Sequence, residues 1–262
     1  MAPVITLLSD FGVKDAYVAA MKGVILGINP DVVVLDITHE VPPQDITAGA
    51  FVLAAAAPYF PPGTIHLAVV DPGVGTTRRG LAAKARDQFF VGPDNGLFHF
   101  MFRDAPDLAI VFLKNPAYFR PEVSPTFHGR DVFAPVAAHL SLGVALNELG
   151  PRVTDPAALP IPSPTFIPEA AKGEIIYVDR FGNLVSNIRW DALVDWLAGR
   201  EFHLRIGSLL LTNLSRTYAD VASGEVLALK GSHGYLEIAC NQASATERLG
   251  LGVTAAVIIR RS

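Results

Sequence analysis

The chain has 262 residues, half of them hydrophobic and 18% charged, with a net charge of -4 and a single cysteine, Cys240. That length suits one large domain or two modest ones with a sizeable core, and the composition is that of a compact fold and not of a disordered chain. The acidic balance without a Lys or Arg run speaks against a nucleic-acid surface, and one cysteine excludes a disulfide or a cysteine-built zinc site within the chain.

The N-terminus, Met-Ala-Pro, leads directly into an apolar strand with no basic stretch before it, so no signal peptide is expected. The longest apolar stretch, around Ala48–Ala57, is ended by Pro58, Pro61 and Pro62 and is too short to span a bilayer. The expected location is the cytoplasm, with no membrane partner.

Val4–Leu8 reads as a strand buried on both faces. Asp15–Ile28 carries Tyr17, Val18, Met21, Ile25 and Ile28 near helical spacing, and Asn29-Pro30 stops it. Val32–Ile37 is a second buried strand, Ile46–Ala57 an alanine-rich helix, and Ile65–Val70 a third strand. Leu108–Leu113 is strand-like, and a helix follows from about Val132 to Leu142. This alternation predicts an α/β N-terminal domain, residues 1–150, with a largely parallel sheet. The segment Pro151–Pro168 holds six prolines in eighteen residues and reads as a linker over 151–170. Beyond it, Glu174–Val178, Phe202–Ile206, Val226–Leu229, Tyr235–Ala239 and Thr254–Ile259 are strand-like, punctuated by glycines, and only Trp190–Leu197 shows a helical stripe. Residues 171–262 are expected to form a smaller, all-β, barrel-like C-terminal domain.

Three carboxylates stand at or just past predicted strand ends: Asp10 in LLSDFG, Asp36 in VVLDITH and Asp71 in AVVDPGVG. Open α/β sheets bind ligands outside the carboxyl ends of their strands, so these positions form a candidate site. A single such Asp serves equally well as a turn or helix cap. The run Asp71-Pro72-Gly73-Val74-Gly75-Thr76-Thr77-Arg78 lacks the Lys and the glycine spacing of a phosphate loop, and its opening carboxylate would repel a phosphate. Phe127-His128-Gly129-Arg130-Asp131 precedes a helix; Asp131 is a candidate N-cap and His128 a candidate proton-handling group. The seven histidines make neither HxH nor HExxH, so no metal site is expected. No GxSxG elbow occurs, which leaves covalent hydrolysis without support.

The segments LLSDFG, DITHEVPPQDI, AVVDPGVGTTRR, VGPDNG, TFHGRDVFAP, YVDRFGNLVSNI and GSHGYLEIACN, in this order, resemble the S-adenosylmethionine hydrolase (hydroxide adenosyltransferase) family, whose relatives include S-adenosylmethionine-dependent fluorinase and chlorinase. The resemblance covers both proposed domains. It implies hydrolysis of S-adenosyl-L-methionine to adenosine and methionine by in-line attack of water at ribose C5′, without a cofactor. It also implies a homotrimer with the substrate between subunits. The hydrolases' Asp-Arg-His set falls on Asp71, Arg78 and His128; halogenating relatives carry other residues at the first and third positions, and the fluorinase has serine in place of Gly129. By the same resemblance Asp10 holds the ribose hydroxyls with Tyr17 nearby, and Asp179 pairs with the methionine ammonium. Asn183 and the backbone near Gln242 meet the adenine edge, and Phe181 and Tyr218 its faces. Ser232 and His233 fall where a Ser-Arg pair grips the methionine carboxylate; the His is a departure that removes a bidentate fork. Gln44 stands in place of a fluorinase tryptophan. The competing readings are a halogenase, a non-catalytic adenosine or S-adenosylmethionine binding module, and a purely structural trimer.

Overall fold

The computed structural model describes residues 2–261. They form two compact units, one running through Leu159 and the other beginning at Pro160.

The first unit comprises β1 (Val4–Ser9), α1 (Tyr17–Ile28), β2 (Val33–Thr38), α2 (Ile46–Ala56), β3 (Ile65–Val69), β4 (Gly80–Ala85), β5 (Gln88–Pro93), α3 (His99–Phe102), β6 (Ala109–Phe112), α4 (Ala134–Ser141) and β7 (Arg152–Val153). Among the described residues its sheet has seven strands in the order β2-β1-β3-β5-β4-β6-β7. Strands β2, β1, β3 and β5 run parallel, and β4 and β7 run against the rest. Successive β1 residues point to opposite faces. Leu7 joins the core formed with Met21 and Ile25 of α1 and Val136 of α4, whereas Leu8 lies on the side where Gly49 of α2 approaches Val70 and Leu97. Helices therefore cover both faces, as a parallel sheet requires.

Two expectations need correction here. β2 is not a buried strand: it is the sheet's edge, and Val33 and Leu35 are exposed. Its apolar run looks like a central strand because composition carries no information on which neighbours a strand has. Asp131 is not a helix cap. It lies within a π-helical turn, Gly129–Phe133, that leads into α4, and its buried carboxylate bonds Arg120 (3.0 Å), Arg130 and the Ser124 amide (2.9 Å).

The hairpin β4–β5 turns through Arg86-Asp87, both in the left-handed region (φ 53° and 59°). Such a turn favours Asn-Gly. Here Asp107 does the holding, accepting the Arg86 and Asp87 amides at 2.6 and 2.9 Å. That partner is twenty residues away, so the hairpin left no local mark in the sequence.

The second unit comprises β8 (Thr165–Ile167), β9 (Ala170–Val178), β10 (Leu184–Arg189), α5 (Trp190–Leu197), β11 (Phe202–Ile206), β12 (Leu209–Leu211), β13 (Val226–Lys230), β14 (Tyr235–Cys240), α6 (Ala245–Leu249) and β15 (Ala256–Arg261). Its strands pair antiparallel in the order β12-β11-β15-β9-β10-β14-β13, with β8 on β9. One core takes Ile175, Leu184, Leu204, Leu236, Ile238 and Ile259 from five of these strands, so the sheet curls around a single apolar interior in barrel-like fashion. The proline-rich stretch contributes only β7 and β8, short strands that both avoid its six prolines.

Candidate active site

Asp71 follows the carboxyl end of β3, and Asp10 follows the carboxyl end of β1, its parallel neighbour. Ser9 pairs with Val69, so both carboxylates emerge at one edge of the sheet. Asp71 is 5% exposed in its side chain and is gripped by Arg78, whose Nε donates to Oδ1 and Oδ2 (2.8 and 3.0 Å) and whose Nη2 also donates to Oδ2. Arg78 Nη2 further donates to His128 Nδ1 at 3.0 Å. The three side chains form one bonded row, and the guanidinium lies 5.2 Å from the Phe133 ring centroid.

Local chemistry explains how seven residues of loop bring Arg78 back onto Asp71. The Val74 amide donates to Asp71 O and the Thr76 amide to Gly73 O, closing two successive turns. Gly75 has φ 77°, and a Cβ there would stand 2.5 Å from the Pro125 carbonyl oxygen. Only glycine meets both demands. Asn95 of the VGPDNG segment donates its amide to Val70 O at 2.8 Å and steadies the strand end before Asp71. Next to it, Asp94 accepts from Arg79 Nε (2.7 Å), and Arg79 also reaches Asp155 (2.9 Å).

His128 precedes the π-helical turn. Burial and the Arg78 charge hold its imidazole below the ordinary value, against a weaker opposite pull from Asp71 and Asp131. Since an arginine can only donate, His128 Nδ1 accepts, and the neutral ring carries its proton on Nε2. Asp131, whose burial alone would raise its carboxyl, is held down at about 2 by Arg130, the Ser124 amide and Arg120.

Asp10 Oδ2 accepts the Gln44 amide at 2.8 Å, and Gln44 sits at φ 67° to deliver it. Tyr17 opens α1, half exposed, with its ring 5.2 Å from Phe127 and 5.7 Å from Phe11. These rings connect the Asp10 loop to the segment carrying His128. Asp36 stands apart: it lies within β2, bound to Lys22 (2.6 Å) and His39 (3.1 Å).

In the second unit, Asp179 organises the turn after β9. Its Oδ1 accepts the Phe181 and Asn183 amides (both 2.9 Å), and its Oδ2 accepts Asn183 Nδ2 (2.9 Å). Phe181 projects from this turn, 77% exposed, while Asn183 is buried. The Thr246 amide donates to Gly182 O at 3.0 Å, which ties the turn to α6 and so to the segment of Gln242, itself exposed and left-handed at φ 58°. Tyr218 and His233 meet on a residue that the sequence reading missed. Glu237, buried on β14, accepts the Tyr218 hydroxyl at 2.9 Å and lies 3.1 Å from His233 Nε2. Burial and Glu237 push the Tyr218 hydroxyl up to about 12. A signal existed: Glu237 interrupts an apolar run in a strand whose alternation leaves no place for a charge. Ser232, beside His233, is exposed. Among the described residues no group of three His, Cys, Asp or Glu side chains is placed to hold a metal ion, and no helix is long and apolar enough to cross a membrane.

Comparison with known proteins places these features in context. The family described as SAM hydroxide adenosyltransferase matches through its N-terminal domain at residues 5–150 and through its C-terminal domain at residues 173–258. The (R)-S-adenosyl-L-methionine hydrolase of Thermus thermophilus is 42% identical, covering 93% of this chain and 94% of that protein. The hydrolase of the same name from Methanocaldococcus jannaschii is 34% identical over 90% of this chain and 87% of its own. A fluorinase of Nocardia brasiliensis is 30% identical over 92% and 91%. A conserved protein of Thermotoga maritima has a crystal structure that superposes with a TM-score of 0.91 at 37% identity, covering 98% of this chain and all of that one.

Proposed function

The chain belongs to the SAM hydroxide adenosyltransferase family, and from that premise we propose that it hydrolyses S-adenosyl-L-methionine to adenosine and L-methionine by in-line attack of water at ribose C5′. The observation that carries this reading is the bonded row Asp71–Arg78–His128 at the carboxyl edge of a largely parallel sheet.

In the reaction, the water oxygen bonds to C5′, the C5′–S bond breaks with its electron pair staying on sulfur as a neutral thioether, and the water gives up one proton, so that the sulfonium cation and water become adenosine, methionine and a proton. The sulfonium leaves without protonation, so the protein's task is to position the water and to favour loss of its proton, stabilising the hydroxide character of the attacking oxygen. His128 Nε2–H is a donor suited to that oxygen, and Arg78 brings a positive charge next to it. Arg78 already bonds His128 Nδ1 and both Asp71 oxygens, but Asp71 Oδ1 accepts a single bond and keeps a lone pair. The row therefore favours hydroxide character through its field, and the released proton has an acceptor in the free lone pair of Asp71 Oδ1, whereas His128 Nδ1 can take it only if Arg78 gives up its bond. Asp71 holds the guanidinium in place.

Substrate recognition in this reading uses Asp10 and Tyr17 of the first unit for the ribose. The second unit supplies Asn183, Phe181, Tyr218 and the Gln242 backbone for adenine, and Asp179, Ser232 and His233 for the methionine end. Tyr218 and His233 share Glu237 as partner, which supports treating them as one wall of that pocket. The reading includes a homotrimer, a cytoplasmic location and no cofactor.

The test is direct. Pure protein is incubated with S-adenosyl-L-methionine as each sulfonium epimer, since the relatives' names specify the (R) form. Adenosine formation without halide supports hydrolysis. A 5′-halogenated nucleoside formed only with chloride or fluoride shows a halogenase, and binding without turnover shows a binding module.

A further inference from the structure

The ends of β1 and β2 carry a row of polar side chains that the hydrolytic reading leaves unused. Lys22 Nζ donates to Asp36 Oδ2 (2.6 Å), Asp36 Oδ1 stands 3.1 Å from His39 Nε2 at an off-axis angle, and His39 Nδ1 lies 2.7 Å from Ser9 Oγ. Ser9 and His39 are buried; Lys22 and Asp36 are partly exposed. Asp36 favours one tautomer of the neutral His39 ring. A lone pair on Nε2 would face the carboxylate, so Nε2 carries the hydrogen and Nδ1 accepts from the Ser9 hydroxyl. Ser9 Oγ then keeps a lone pair for the Phe11 amide, which lies 3.3 Å away. The backbone follows the same course: the Gly12 amide donates to His39 O at 2.8 Å, and the Val41 amide to Ser9 O at 3.4 Å.

The bonds from His39 and Val41 end on Ser9 or Gly12, and Ser9 in turn bonds the Phe11 amide, so this end of the row meets the chain around Asp10. They are needed there because the β1–β2 ladder breaks just before: Leu7 faces Asp36 but Leu8 faces Thr38, so β2 bulges at Ile37. A bulge re-aims the chain and removes ladder bonds. The Gln44 amide anchors Asp10 Oδ2 from the other side. The composition Ser-His-Asp does not make Ser9 a nucleophile, since Ser9 is 1% exposed and no substrate reaches its hydroxyl.

We propose that His39 is a positioning residue, acting through Ser9 and the Gly12 amide to hold the Asp10 carboxylate in place for the ribose hydroxyls. The proposal rests on the reading of Asp10 as the ribose ligand. The experiment separates the two. Full-length wild type, His39→Ala, Ser9→Ala and Asp10→Ala are titrated calorimetrically with adenosine and with 2′,3′-dideoxyadenosine, which lacks both hydroxyls. Wild type is expected to prefer adenosine. His39→Ala and Ser9→Ala are expected to lose about ten-fold in adenosine affinity, the effect of one hydrogen bond to a charged group, and to bind 2′,3′-dideoxyadenosine as wild type does. Asp10→Ala combined with His39→Ala is expected to lose no more than Asp10→Ala alone, and His39→Asn, whose Oδ1 accepts the Ser9 hydroxyl, to recover part of the loss. Wild type that does not distinguish the two nucleosides overturns the reading of Asp10, and the proposal with it. Discrimination intact in both variants overturns the proposal alone. So does an equal loss for both nucleosides, which marks His39 as merely structural. Ser9→Ala conserves the packing and decides the matter if His39→Ala does not fold.

Discussion

Arg78 bonds Asp71 along one edge of its guanidinium and His128 through Nη2, so each partner's state depends on the other two. Asp71→Asn keeps the shape but removes the charge that holds Arg78. His128→Ala removes the donor that the proposed mechanism assigns to the attacking water. Each is expected to lower kcat by about 10²- to 10⁴-fold, the range for a positioned proton-handling group, with little change in substrate affinity. Groups that act mainly in the transition state appear in kcat. The double variant is expected to lose less than the product of the single losses. Single-turnover hydrolysis with calorimetric binding checks this; near-wild-type rates in both variants would place water activation elsewhere. The titration of His128 is a second prediction. Its folded pKa is depressed by burial and by Arg78, so the ring is neutral at pH 7 and its midpoint by NMR falls below 6.5. The unfolded chain binds that proton more readily, so this group destabilises the fold progressively as pH drops below about 6.5. In Arg78→Gln the midpoint moves up; a midpoint that stays in place removes Arg78 as a cause.

Two backbone segments deliver these side chains, and each is strained or irregular. The loop from Asp71 to Arg78 relies on Gly75, which is left-handed and leaves no room for a Cβ beside Pro125 O. Gly75→Ala is expected to cost about 1–3 kcal/mol, the range for strained backbone, and to lower kcat by shifting Arg78. Urea unfolding and kinetics read the two effects separately. The π-helical turn Gly129–Phe133 sets the offset between His128 and α4, and Asp131 fixes it through Arg120, Arg130 and the Ser124 amide. π-Turns recur where a side chain must be re-aimed at a functional position. The Asp131 carboxyl is lowered to about 2 from an ordinary 3.8. Its stabilising contribution is therefore complete above pH 3.8 and lost as pH falls towards 2. Asp131→Asn is expected to destabilise the protein by about 3 kcal/mol at pH 7, as breaking a buried ion pair does, and by much less at pH 2.5. Equal losses at both pH values would refute the assigned role.

For the whole molecule the proposed assembly is a trimer, and the exposure of Phe181 bears on it. It is far more exposed than an adenine-stacking ring should be in a finished pocket. Light scattering is expected to give three times 28.0 kDa, and Phe181→Ala to weaken adenosine binding by about 1 kcal/mol or more, as loss of base–aromatic stacking does. A fully active monomer at micromolar concentration would overturn the trimer. The sequence by itself determined the elements whose period is strong: β1, α1, α2 and β3 in the first unit, and the change to strand patterning beyond the prolines. It also determined the order of motifs that carries the family resemblance. These are local properties, set by which residues repeat at 2 or 3.6 and where proline and glycine interrupt them. Only the tertiary structure decided that β2 is an edge, that β4 and β5 form a hairpin held by Asp107, and that β10 lies between β9 and β14. Only it gave the bonds among Asp71, Arg78 and His128, which the sequence had grouped through the family resemblance alone, turned Asp131 from a cap into a buried counter-ion, and set Glu237 between Tyr218 and His233. Each of these depends on partners distant in sequence, and a hydrogen bond or ion pair between distant residues leaves no periodicity to read.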